Sequence, residues 1–72
     1  MREFAVHFLI RKGLGPEWVP KTIFVGLDDI EPEMEEYEIR AWARENAESV
    51  LRNTEDYPVY GKNWIYKDME EV

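Results

Sequence analysis

The chain has no cysteine, so neither a disulfide nor a cysteine-based zinc site can brace it. That absence fits a reducing compartment, and the cytoplasm is the expected location. Histidine occurs once (His7), serine once (Ser49) and threonine twice (Thr22, Thr54). None of the hydroxyls stands in a nucleophile motif such as G-x-S-x-G, and His7 has no Ser, Cys or Asp close in sequence. No long apolar run is present. The stretch from Phe4 to Ile10 is interrupted by His7 and followed by Arg11 and Lys12. It is about half the length of a membrane span and carries no small-residue cleavage site. Cations are also scarce: nine Lys and Arg face sixteen Asp and Glu, a formal charge of −7. Phosphate backbones and anionic membranes repel such a surface, so direct nucleic-acid binding and membrane binding are not expected.

What remains is a 72-residue chain, one domain over 1–72, with aromatics at 14%. A domain this short buries only about 60% of the surface its unfolded form exposes. It therefore needs a dense aromatic core, a second subunit, or both.

Phe4, Val6, Phe8 and Ile10 alternate with Ala5, His7 and Leu9, which predicts a central strand over 2–11. Residues 13–20 hold two glycines and two prolines and read as a loop. Residues 21–27 (KTIFVGL) read as a second strand in an antiparallel hairpin, with Gly26 marking a bulge or a close approach. Residues 28–53 admit two readings. As one helix, Met34, Tyr37 and Ala41 fall nearly opposite Ala43, Ala47 and Val50, with Ile39, so the buried face would have to switch. A strand of Tyr37, Ile39 and Ala41, then a helix with Ala43, Ala47, Val50 and Leu51 as its buried stripe, removes that conflict and is preferred. Against it, neither Trp42 nor Ala43 is a good N-cap, and Glu36, Arg40, Arg44, Glu48 and Arg52 stand at i,i+4 spacing. Residues 57–67 read as a strand or terminal hairpin turning at Gly61, Lys62 and Asn63, and 68–72 as a frayed acidic tail. The expected fold is α+β: an antiparallel sheet of three to four strands on one helix. Its order is β-β-β-α-β, or β-β-α-β if 32–53 is one helix.

No motif points to catalysis. Asp28, Asp29, Glu31 and Glu33 could offer oxygen ligands to a hard cation, but their spacing is not that of an EF-hand. With sixteen carboxylates, an acid pair at glycosidase spacing would arise by chance. Gly13, Leu14 and Gly15 lack the rest of a phosphate loop. Tyr57, Tyr60, Trp64 and Tyr66 resemble a base-stacking ladder but are flanked by acids rather than set in a basic groove. The sequence thus predicts no enzyme, no cofactor and no metal.

The charge and the surplus aromatics predict instead a protein-binding or regulatory module offering an acidic surface to a basic partner. In its sharpest form it would be an inhibitor whose carboxylates stand in for phosphates. Small size and strong negative charge also suit an accessory protein of a phage or mobile element. The expected partner contacts are Trp18, Asp28, Asp29, Glu31, Glu33, Glu36, Glu38 and Trp42. The alternative is a self-associating assembly subunit, with a homodimer through a sheet edge or aromatic face. A minimal metal-dependent or acid–base enzyme ranks last.

Overall fold

The computed structural model describes residues 1–11, 15–54 and 63–72. Three strands and a helix follow in the order β1 (Arg2–Ile10), β2 (Val19–Leu27), α1 (Glu36–Arg52) and β3 (Trp64–Glu71). The sheet order is β2-β1-β3, antiparallel at both pairings. This is the α+β fold with the β-β-α-β order. β2 and β3 run the same way with β1 between them, and α1 carries the chain from one edge of the sheet to the other.

The period-two pattern of β1 is realised directly. Phe4, Val6, Phe8 and Ile10 are buried, and from β2 so are Ile23, Val25 and Leu27. The helix lays Ile39, Ala43, Ala47 and Leu51 onto this layer. Phe4, Phe8, Leu27 and Leu51 are enclosed almost completely, and each contributes about 1.5–3 kcal/mol by leaving water. Gly26 marks a close approach and not a bulge. The β1–β2 register runs unbroken past it, and the Met1 thioether lies 2.7 Å from where its Cβ would stand.

Two expectations are corrected. The segment 33–42 holds no strand, and α1 begins at Glu36. The strand reading assumed that Tyr37 and Ala41 are buried. Both face solvent, Tyr37 at 73% exposure, so the helix never needs a second apolar face. The stripe at i,i+4 from Ile39 to Leu51 suffices, and Val50 lies outside it, half-exposed. The start signal is also earlier than Trp42. The Glu35 N–H donates to Glu38 Oε1 at 3.3 Å, and Glu36 and Glu38 place negative charge at the positive end of the helix.

The second correction concerns 68–72, which are not frayed. β3 continues to Glu71, and the Val72 N–H donates to the Glu3 carbonyl. A bulge makes this possible. Between His7 and Phe8 the register slips by one residue, leaving Lys67 unpaired. Trp64 and Tyr66 face the helix before the bulge and Met69 after it, so Asp68 and Glu70 turn outward. Without the slip those two acids would enter the core. Of the expected C-terminal strand or hairpin, residues 57–62 lie outside the described residues, as do Gly13 and Leu14 of the first loop.

The helical reading has a measurable consequence. Phe8→Ala should lower stability by about 3–5 kcal/mol through the cavity it leaves. Tyr37→Ala should change it by less than about 0.5 kcal/mol. Urea unfolding of both variants checks this, and a large Tyr37 effect would restore the strand reading.

Candidate partner interface

Arg2 organises one end of the molecule. Its guanidinium donates to both Glu71 oxygens, at 2.8 and 2.6 Å, and to both Glu36 oxygens, at 3.1 and 2.8 Å. Arg40 reaches Glu36 from the next helical turn at 3.4 Å. The Arg2 and Arg40 guanidiniums also lie 5.2 and 5.5 Å from the centroid of the Phe4 ring, within cation–π range. The first residue of β1, the first turn of α1 and the last residue of β3 are thereby tied over one core aromatic. Hydrogen bonding from Arg2 holds the Glu36 and Glu71 carboxyls below the usual carboxylate range and raises the Arg2 guanidinium in turn.

The same end carries most of the expected partner contacts. Chain residues 28–38 leave β2, pass a turn closed by the Met34 N–H on the Glu31 carbonyl, and enter α1. Asp29 adopts the left-handed conformation (φ 59°), which a short polar side chain tolerates. Among the described residues Asp28, Asp29, Glu31, Glu33 and Glu38 make no ion pair, whereas Glu36 is taken by Arg2 and Arg40. Beside them opens a groove of about 560 Å³, lined by Leu27, Ile30, Met34 and Ile39 together with Asp29, Glu31 and the Arg2–Glu36 pair. This groove was not foreseen from sequence. Its apolar residues are scattered through 27–39 and converge only because the turn folds back under the helix start.

The two tryptophans lie elsewhere. Trp18 sits at the opposite end of the β1–β2 hairpin, roughly 25 Å along the strands. It is half-buried beneath the Arg11 guanidinium, 4.6 Å from the ring centroid. Trp42 is on the helix, half-buried and packed against the core. Neither joins the acidic end. Trp64 is also fixed internally, its indole N–H donating to Glu48 at 3.1 Å, and Arg44 stacks on Tyr66 at 4.3 Å. Arg2, Arg11, Arg40 and Arg44 are thus committed within the molecule, while the acids of 28–38 are mostly left open.

His7 acquires partners that its sequence neighbourhood does not offer. Its Nδ1 lies 2.8 Å from Thr22 Oγ1 on β2, and its Nε2 lies 3.4 Å from Glu70 on β3. A hydroxyl, an imidazole and a carboxylate in line are the elements of a nucleophilic triad. They stand here on the outer sheet face, with Glu70 exposed and no cleft lined by them among the described cavities. Cross-strand pairing accounts for the arrangement. Among the described residues no group of three His, Asp or Glu is placed to hold a metal ion, and no helix is long and apolar enough to cross a membrane.

Comparison of the chain with models of protein families, with curated proteins and with solved structures finds no match.

The Arg2 network sets a pH dependence. Carboxyls held below their ordinary value near 4.5 stabilise the fold above that pH, and this stabilisation is lost as pH falls through the lowered values. The melting-temperature gap between wild type and Arg2→Met should be widest near neutrality and narrow below pH 4.5. Thermal melts of both chains across this range check it. A gap independent of pH would leave only the packing of Arg2 on Phe4.

Proposed function

We propose that the chain is a non-catalytic, protein-binding regulatory module that docks its acidic end onto a basic partner. The observation that carries this reading is the groove at that end. Leu27, Ile30, Met34 and Ile39 are edged there by Asp29 and Glu31, which have no ion pair among the described residues, and by Glu36, which Arg2 holds; Asp28, Glu33 and Glu38, also without an ion pair, stand in the same 28–38 segment. Apolar residues give a partner something to bury, and the surrounding charge selects its sign and steers its approach. A net charge of −7 extends that field beyond the groove. Where the partner's basic surface is one that takes nucleic acid, the carboxylates occupy the phosphate positions and the chain acts as an inhibitor. The absence of cysteine suits action in the cytoplasm.

Capture from a nuclease-treated lysate tests this reading. A specific basic protein should be retained on the immobilised chain at about 0.05 M salt. It should be released near 1 M, where the screening length falls to about 3 Å. The variant Glu31→Gln/Glu33→Gln/Glu38→Gln should lose it while its stability falls by no more than about 1 kcal/mol, since Gln at 38 can still accept from the Glu35 N–H. Retention that is indifferent to salt, or to the three substitutions, would refute the electrostatic reading.

A further inference from the structure

The flank of the molecule along β2 differs from the rest of its surface. The Glu3 carbonyl accepts from Val72, and the Arg11 N–H donates to the Asn63 carbonyl. Odd-numbered β1 residues therefore turn their main chain toward β3, and even-numbered ones toward β2. Phe4 pairs with Val25, Val6 with Ile23 and Phe8 with Lys21, so the odd-numbered β2 residues bond to β1. Among the described residues, Thr22, Phe24 and Gly26 are left with N–H and C=O groups pointing out of the sheet without a strand partner. Pro20 shares that orientation, and its missing donor falls on the unpaired side, where proline costs nothing.

The two sheet edges are not equally open. β3 is blunted by its bulge and by Lys67, Asp68, Glu70 and Glu71, devices that prevent edge pairing. β2 has no bulge, and no charged residue stands from Thr22 to Leu27. Phe24 projects from the outer face at 71% exposure. On the other face, Arg44 against Tyr66 and Glu48 against Trp64 fix one flank of α1 toward β3. At 100° per residue the opposite flank, with Trp42, Asn46 and Val50, overhangs β2. Trp42 is half-buried and Val50 half-exposed there.

We propose that this edge pairs with β2 of a second copy, antiparallel about a two-fold axis at Phe24, so that two three-stranded sheets become one of six. Charge complementarity selects a second copy as the occupant. Lys21 is the third residue of β2 and Asp28 and Asp29 follow its last, Leu27; none of the three has an ion pair among the described residues. Antiparallel self-pairing sets the Lys21 end of each strand beside the acidic end of the other, twice over. In this register Thr22 lies opposite Gly26 of the other copy and Phe24 opposite Phe24. About six main-chain hydrogen bonds then satisfy the outward groups. Phe24 packs against its counterpart on one face, and the Trp42 and Val50 flanks meet above the other. A domain at the lower size limit for independent stability gains the additional core that its sequence lacks disulfides to replace. The pairing uses Asp28 and Asp29 at the end of β2 and leaves Glu31 and Glu33 out of the contact.

Sedimentation equilibrium from about 1 to about 100 μM, spanning modest affinities, tests the pairing. Wild type should approach the mass of two 8.7 kDa chains. Phe24→Lys, at an exposed site, should run as one chain with unchanged circular dichroism. Lys21→Asp should raise the dissociation constant about tenfold or more, and adding Asp28→Lys to it, which leaves the left-handed Asp29 in place, should recover most of that loss. A single-chain mass for wild type throughout, a mass above two chains, a dimeric Phe24→Lys, or a charge-swapped chain that fails to recover would each overturn the proposal.

Discussion

β1 is paired along both edges and buried along its inward face, and the other three elements take their positions from it. Phe4, Val6, Phe8 and Ile10 supply the floor on which α1 rests. The hairpin fixes β2 on one side. The helix then returns the chain to the other side, where β3 must match a register already set by β1. β3 cannot do so as a regular strand, because its alternation changes phase after Tyr66. One extra residue at Lys67 absorbs the change, since a one-residue slip reverses which face every later side chain meets. Met69 thereby joins the core, and Glu71 arrives beside Arg2. The bulge and the Arg2 network are thus consequences of one demand, that an acidic segment complete a sheet around an apolar strand.

The placement of charge follows from the same demand. Closing the core at the Arg2 end brings Glu36 and Glu71 together over Phe4, and two arginines are needed to make this favourable. At the other end Arg11 covers Trp18, and between them Arg44 covers Tyr66. Guanidiniums suit these positions because they stack on rings and bond carboxylates at once. With Arg2, Arg11, Arg40 and Arg44 so placed, five of the nine cations remain against sixteen carboxylates. Apart from Glu36, the acids of 28–38 have no ion pair among the described residues, since Arg2, Arg11, Arg40 and Arg44 are drawn to rings and carboxylates elsewhere.

The strand β1, the hairpin, the α+β class and the acidic character of the 28–38 surface were legible in the sequence, since each rests on local periodicity or composition. The helix start was not. Tyr37 is apolar enough to look buried, and only the position of the sheet shows that it faces water. The bulge was equally hidden, because three acids in 68–71 look like a solvated tail until Met69 has an apolar partner in Val6. His7 was read as isolated because Thr22 and Glu70 are distant in sequence and adjacent only across strands. Of the expected contact residues, the acids converge because they share one turn and one helix start. Trp18 reads as a contact from its place in a loop, and Trp42 from the solvated face of a strand that does not form; in the structure both are half-buried and neither lines the groove.

Antiparallel edge pairing also bears on how so acidic a chain can meet its own copy. β2 runs toward the acidic end, so a two-fold across it directs the two acidic ends away from each other along the seam. They stand separated by a strand's length of uncharged residues, beyond the roughly 8 Å over which exposed charges interact at physiological salt. Parallel pairing would set the two ends side by side and incur the full repulsion. The antiparallel arrangement leaves two acid-edged grooves facing outward at opposite ends of one body. A partner that offers basic sites at matching separation would engage both, with the gain in apparent affinity that linkage confers. The same strand direction therefore explains why a second copy fits this edge and why, with Asp28 and Asp29 set beside Lys21 of the other copy, Glu31 and Glu33 stay free.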